Sequence, residues 1–171
     1  MKHLVKAVLL VGALTASACT NAGRFGDGAG GGAGAGTSAI VPGSASDPTS
    51  PAYFQQTVGD RVLFAIDQST LSGSGVDVLT KQAAWLMENP AFSAIIEGHA
   101  DEQGTREYNL ALGARRASAV QNFLIERGVA PGRLKTVSYG KERPLEICSD
   151  ESCYAQNRRA VTVLSAGGAT S

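Results

Sequence analysis

Apolar positions keep different rhythms along this chain. From Val62 to Ile66 they run without interruption, a short β-prone segment closed by Asp67-Gln68-Ser69-Thr70. Val76, Leu79, Ala83 and Leu86 recur at three- and four-residue intervals, the period of a helix with one buried face. Ser72 or Ser74 can cap its start and Asn89-Pro90 stops it. Phe92-Ser93-Ala94-Ile95-Ile96-Glu97-Gly98 reads as a second strand. A second helical stripe, Leu110, Ala114, Ala117, Val120 and Leu124, ends at Gly128. Arg133 to Tyr139 and Ala160 to Leu164 read as two more strands, separated by a loop with Pro144 and two cysteines. The order β-α-β-α-β-loop-β predicts an α/β fold, a two-layer β-α-β-α-β-β sandwich with right-handed parallel crossovers and the direction of the last strand left open. Trp85 is assigned to packing between helix and sheet.

Only part of the chain has such patterning, and three other segments follow from composition. Residues 1–18 combine Lys2 and Lys6 with an apolar run from Ala7 to Leu14 and the small residues Ala16-Ser17-Ala18. That is the layout of an export signal, and the run is shorter than the roughly 20 residues a permanent membrane span needs. Cys19 follows directly, as in a lipobox, although Ala16 stands where such a motif usually has Leu, Val or Ile; the alternative is an ordinary signal cut near Ala18. Residues 19–52 are dominated by Gly, Ala, Ser, Thr and Pro, including Gly28-Ala29-Gly30-Gly31-Gly32. They are expected to form a lipidated start and a disordered tether, with a coil span of roughly 30 Å and an extended reach of about 110 Å. No strand precedes these glycines and no helix follows, so they are not a phosphate loop. Residues 53–166 form the globular domain and 167–171 a disordered tail.

Charge narrows the function. The chain holds 15 basic and 15 acidic residues. Removal of residues 1–18 would take away Lys2 and Lys6 and no acid, leaving a slightly acidic chain without the basic footprint of a nucleic-acid binder. With Cys19 set aside, Cys148 and Cys153 form an even pair in an exported chain, where a disulfide is permitted and two free thiols are the alternative. They lack zinc-site spacing, and no metal or other cofactor is expected.

The candidate chemistry lies in Glu97-Gly98-His99-Ala100-Asp101-Glu102-Gln103-Gly104-Thr105 and Asn109-Leu110-Ala111-Leu112-Gly113-Ala114-Arg115-Arg116-Ala117. These runs place the Asp101 carboxylate at the exit of a strand and the Arg116 guanidinium on the inward side of a helix. Such a pair can hold a small zwitterion: the carboxylate accepts from an ammonium, and the guanidinium forks two N–H bonds onto a carboxylate. The same pair can equally be an intramolecular salt bridge. His99 is expected to be buried and hydrogen-bonded in support of the Asp101 loop. Asn157-Arg158-Arg159 is either a loop-ordering cluster or a ligand rim, with at least one arginine structural.

These runs, with Val137-Ser138-Tyr139-Gly140-Lys141-Glu142 and Asn157-Arg158-Arg159-Ala160-Val161, resemble the OmpA-like C-terminal domain superfamily from about Val62 to Leu164, and within it the lipoproteins that hold the cell wall. The resemblance implies the OmpA-like fold and non-covalent binding of the diaminopimelate-containing stem peptide of peptidoglycan. It implies Asp101 and Arg116 as ligand contacts, backbone N–H donation from Ile66 and Asp67 to the ligand carboxylate, and Thr105, Asn109 and Leu112 as wall residues. It also implies an outer-membrane location with the domain facing the periplasm, the propeller protein TolB as partner, and a role in envelope constriction at division.

Two other classes are disfavoured by the residues. A hydrolase acting through Asp101 or Glu102 would need two carboxyl groups flanking the scissile bond, or an activated nucleophile, and adjacent carboxylates supply neither. A flagellar-stator-like wall binder would need a membrane helix carrying a titratable carboxylate, and residues 7–18 hold none. No catalytic residue is expected.

Overall fold

The computed structural model describes residues 40–166. The export signal, Cys19, residues 20–39 of the expected tether and the tail at 167–171 lie outside the described residues. The elements are α1 (Pro51–Tyr53), which runs on as a π-helix (Phe54–Gly59), β1 (Arg61–Leu63), α2 (Gly73–Glu88), β2 (Phe92–His99), α3 (Arg106–Glu126), a 3-10 turn (Pro131–Arg133), β3 (Leu134–Gly140), α4 (Glu151–Asn157) and β4 (Arg159–Ala166). The expected two-layer α/β sandwich is the architecture observed. Among the described residues no helix is long and apolar enough to cross a membrane.

The four strands form one sheet in the order β1-β4-β2-β3. β2 and β3 are parallel, with Ile96 opposite Thr136, as the crossover through α3 requires. β4, whose direction the sequence leaves open, is antiparallel to both neighbours: Val62 faces Ala160, and Ile96 faces Thr162. Insertion of the last strand between the first two places the ends of β1 and β2 on either side of the start of β4.

Alternation along the strands sends Val62, Ala94, Ile96, Ala160 and Leu134 to one face, where they are buried under α2 and α3 with Leu79, Leu86, Val120 and Leu124. Ser72 caps α2, its side-chain oxygen accepting from Gly75 N at 3.1 Å. Thr105 does the same for α3, accepting from Tyr108 N at 3.2 Å. Gly128, at φ +101, ends α3 in a left-handed conformation open to glycine. Within the layer, Gln82 is fully buried and both ends of its amide are satisfied, by Gly59 O at 2.7 Å and Thr162 Oγ1 at 2.8 Å.

Residues 40–52, assigned above to the disordered tether, are folded onto the domain. Asp47 accepts from Gly43 N and Thr49 N, Ser50 is buried and caps α1, and Pro48 O accepts the indole N–H of Trp85 at 2.7 Å. The ordered body therefore begins by residue 40, not 53. The physical reason is Trp85: wedged between Phe54 and Phe92, with ring centroids 4.9 and 5.3 Å away, its buried N–H needs an acceptor, and this segment supplies one. Thus Trp85 packs, as expected, but against the N-terminal segment as well as the sheet layer.

Candidate functional site

The site opens where β1 and β2 end beside the first half of α3, and three backbone features assemble it. A glycine pair comes first. A Cβ on Gly98 would lie 2.6 Å from the Gly113 carbonyl carbon and 3.2 Å from Ala117 Cβ, so β2 and α3 are in direct backbone contact. That contact places Arg116, nearly one turn beyond Gly113, at the end of the sheet. Next, a register shift at Gly98/His99 and an Ala100 N–H donated to Gly140 O at 2.8 Å lead Asp101 out over the strand ends. Last, Ala65 to Gln68 form a turn closed by Gln68 N donating to Ala65 O at 3.2 Å, with Asp67 at φ +57. Asp67 is the one non-glycine residue with positive φ among the described residues, a conformation that stores about 1 kcal/mol or more.

Five of the seven expected site residues, Ile66, Asp67, Asp101, Asn109 and Leu112, line a single cleft of about 300 Å³. Gln103, Gly104 and Tyr108, which are not among those seven, complete its wall. The Tyr108 hydroxyl donates to Asp67 Oδ1 across the cleft. Tyr108 and Asn109 were separable only by the helix phase, which puts Asn109 inward and Tyr108 toward the mouth. Asn109 Nδ2 donates to Gln103 O at 2.7 Å and holds the 101–104 loop, where Gly104 adopts φ +89. Thr105 does not line the cleft: its hydroxyl caps α3 and its position is exposed. The N–H groups of Ile66 and Asp67, two residues that line the cleft, have no acceptor among the described residues.

Arg116 stands behind this wall instead of in it. It is fully buried, and its Nε, Nη1 and Nη2 donate to Gln68 O at 2.8 Å, His99 O at 2.8 Å and Ala65 O at 3.1 Å. Three of its five N–H groups are thus committed to carbonyls of the two loops that carry Ile66, Asp67 and Asp101. Burial lowers its pKa to about 10, opposed by the nearby Asp101 and Asp67 carboxylates, so the guanidinium stays charged at neutral pH. The Asp101–Arg116 salt bridge weighed above does not form. Asp101 Oδ2 instead accepts from Arg158 Nη1 at 3.2 Å, and Oδ1 from Gln103 N at 3.3 Å.

The Asn157-Arg158-Arg159 run orders loops. Asn157 is fully buried: its Oδ1 accepts from Leu145 N and Glu146 N, and its Nδ2 donates to Glu146 O and Glu102 Oε1. Arg159 donates to Arg143 O at 3.2 Å. His99 departs from expectation. It is buried, but Nδ1 has no partner among the described residues, and Nε2 is 3.6 Å from Glu97 Oε2, beyond hydrogen-bond reach. Its ring packs on Tyr139 at 5.5 Å, and only its carbonyl serves the site. Burial, then the Arg159 and Arg143 charges, lower its pKa to about 4. Cys148 and Cys153 are drawn together as a disulfide, their Cα atoms 5.9 Å apart, at the start of α4. Asp150 lies within metal-ligand reach of both sulfurs, yet its Oδ1 caps α4 and disulfide sulfurs are poor ligands.

A four-stranded sheet with helices on one face and a charged cleft at its strand ends defines an OmpA-like domain, and the OmpA family model matches residues 63–158. A protein of Mesorhizobium japonicum named peptidoglycan-associated lipoprotein is 53% identical over 133 residues, covering 78% of this chain and 76% of the relative. One of the same name from Haemophilus influenzae is 40% identical over 162 residues, covering 94% of this chain and 98% of the relative. The crystal structure of the peptidoglycan-associated lipoprotein from Burkholderia pseudomallei superposes with a TM-score of 0.65 at 36% identity, over 70% of this chain and all of that one. The C-terminal domain of Helicobacter pylori MotB, at 21% identity, TM-score 0.58 and coverage of 62% and 84%, shares the fold. The chain belongs to the OmpA family, among its peptidoglycan-associated lipoproteins.

Proposed function

We propose that the protein is an outer-membrane lipoprotein that binds the diaminopimelate end of a peptidoglycan stem peptide in this cleft and so ties membrane to wall without catalysing a reaction. The observation that carries the reading is the convergence, in one small cleft, of an anion and of unpaired donors backed by a buried cation. The end of a diaminopimelate side chain bears an ammonium and a carboxylate on the same carbon. Asp101 takes the ammonium. The free N–H groups of Ile66 and Asp67 take the carboxylate, and Arg116, with two uncommitted N–H groups behind the same turn, supplies the compensating charge. Asn109 and Leu112 wall the aliphatic part of the ligand, while Thr105 acts through the helix cap. The proposal extends to acylation of Cys19, which makes the anchor permanent because three chains each contribute about 0.8 kcal/mol per buried CH2. It extends also to a disulfide between Cys148 and Cys153, and to TolB as partner within the Tol-Pal system that draws the outer membrane inward at division.

Co-sedimentation with purified cell walls tests the reading. The chain from residue 19 onward, carrying Cys19→Ser, is expected to pellet with walls containing diaminopimelate, and the Asp101→Asn variant to remain in the supernatant. Equal pelleting of both proteins, or equal pelleting with walls whose stem peptides carry lysine in place of diaminopimelate, overturns the assigned site. Membrane fractionation tests the anchor separately: Cys19→Ser is expected to release the full-length protein into the soluble periplasm.

A further inference from the structure

The Asp101 carboxylate already has a cationic partner in Arg158. A carboxylate paired with one arginine is close to neutral and a weak receptor for an ammonium. Arg158, 5% exposed, is held firmly in place: its Nε donates to Phe64 O at 3.2 Å and its own carbonyl accepts from Phe64 N at 2.9 Å. The backbone bond fixes where the side chain starts, and the guanidinium cannot swing away when a ligand arrives without breaking its Nε bond. Its fork, however, is shared. Nη1 reaches both Asp101 Oδ2 at 3.2 Å and Glu151 Oε2 at 3.4 Å, while Nη2 donates to Glu151 Oε1.

From this geometry we infer that Glu151, though outside the cleft, is a positioning residue that sets the cleft's preference for a cationic group by neutralising Arg158. With Glu151 ionised, the Glu151–Arg158–Asp101 triad carries one net negative charge, and the end facing the cleft is Asp101. Without it, Arg158 and Asp101 form a neutral pair, and Asp101 no longer presents an unbalanced negative charge to the cleft. Glu151 is well placed for the task. It is the first residue of α4, where a negative charge is favoured, with Asp150 capping the helix and the Cys148–Cys153 pair spanning that cap. The inference rests on the diaminopimelate reading and deepens it.

The test uses the chain from residue 19 onward, with Cys19→Ser, and measures the affinity for free meso-diaminopimelate by isothermal titration beside the thermal midpoint of each variant. Glu151→Gln is expected to weaken binding roughly threefold to tenfold, the upper end of what a largely exposed carboxylate contributes when its arginine partner is buried. Glu151→Lys is expected to weaken it further, and Glu151→Asp to stay within about threefold of wild type, all melting within about 4 °C of it. A Gln variant that binds like wild type overturns the inference while leaving the binding site intact. So does a loss that follows the melting temperature, or one that Asp does not restore. A wild type that binds no diaminopimelate overturns the reading of the site and this inference with it.

Discussion

Substitution of Arg116 by lysine keeps a positive charge at the site and removes the fork. The guanidinium reaches three carbonyls, on Gln68, His99 and Ala65, from a position with no exposed surface. A lysine ammonium is one compact donor centre and leaves at least one of the three acceptors unserved. Each lost bond from a charged donor is worth about 1.5–3 kcal/mol. Water can replace the donor at the partly buried Ala65 and Gln68 carbonyls and has poor access to His99 O, so the expected loss is about 3 kcal/mol. With a urea dependence of roughly 1.5 kcal/mol per molar for a domain of this size, the unfolding midpoint should fall by about 2 M. Equilibrium urea unfolding followed by circular dichroism measures it. A midpoint within about 0.3 M of wild type would refute the claim that this fork fastens the two loops. Arg116→Ala, which adds a cavity, does not isolate binding from folding, whereas Asp101→Asn changes one oxygen at the cleft.

Three further outcomes are expected. Gly98→Ala should prevent α3 from seating on β2 and destabilise the domain by about 3 kcal/mol or more, whereas Gly73→Ala, which meets nothing within 4 Å, should be neutral or stabilising by a few tenths; thermal melts compare them. His99 has a folded-state pKa near 4 against the ordinary 6.5, so the unfolded chain binds its proton first and stability falls as pH drops from about 6.5 to about 4, by up to about 1.4 kcal/mol per unit. That slope should vanish in His99→Phe, and urea midpoints across this window that stay parallel in the two proteins would contradict it. Trp85→Phe removes the donor to Pro48 O, and amide exchange across residues 41–50 should accelerate by about fivefold, matching a bond of about 1 kcal/mol; unchanged exchange would show that the segment is held by other contacts.

The sequence read well wherever burial followed one rule per element. α2 and β2 emerged within a residue or two of their observed bounds because Leu79, Ala83 and Leu86, and Ala94 and Ile96, are apolar and inward. The stripe assigned to α3 went astray at its first half. Leu110 and Ala114 face solvent, and the inner face is Asn109, Leu112, Gly113 and Arg116. Polar residues occupy buried positions there because that stretch builds the cleft, and hydrophobic periodicity breaks down where function overrides packing. β1 stops at Leu63 although the apolar run continues to Ile66, since Ala65 to Gln68 turn away to form the site. α4 reads as loop in the sequence: it is seven residues long, and its order comes from a capping Asp150, a Cys pair and Asn157, none of which leaves an apolar period. The Asp101–Arg158 partnership joins residues 57 apart and had no local signal.

Binding of diaminopimelate in the cleft is read most directly by an NMR titration of the chain from residue 19 onward, carrying Cys19→Ser, with free meso-diaminopimelate. The backbone amides of Ile66 and Asp67, and the Asn109 side-chain amide, should shift in a saturable way, and Asp101→Asn should abolish these shifts while the rest of the spectrum stays folded. Saturable shifts confined to other surfaces, or an unchanged spectrum at millimolar ligand, would contradict binding in the cleft.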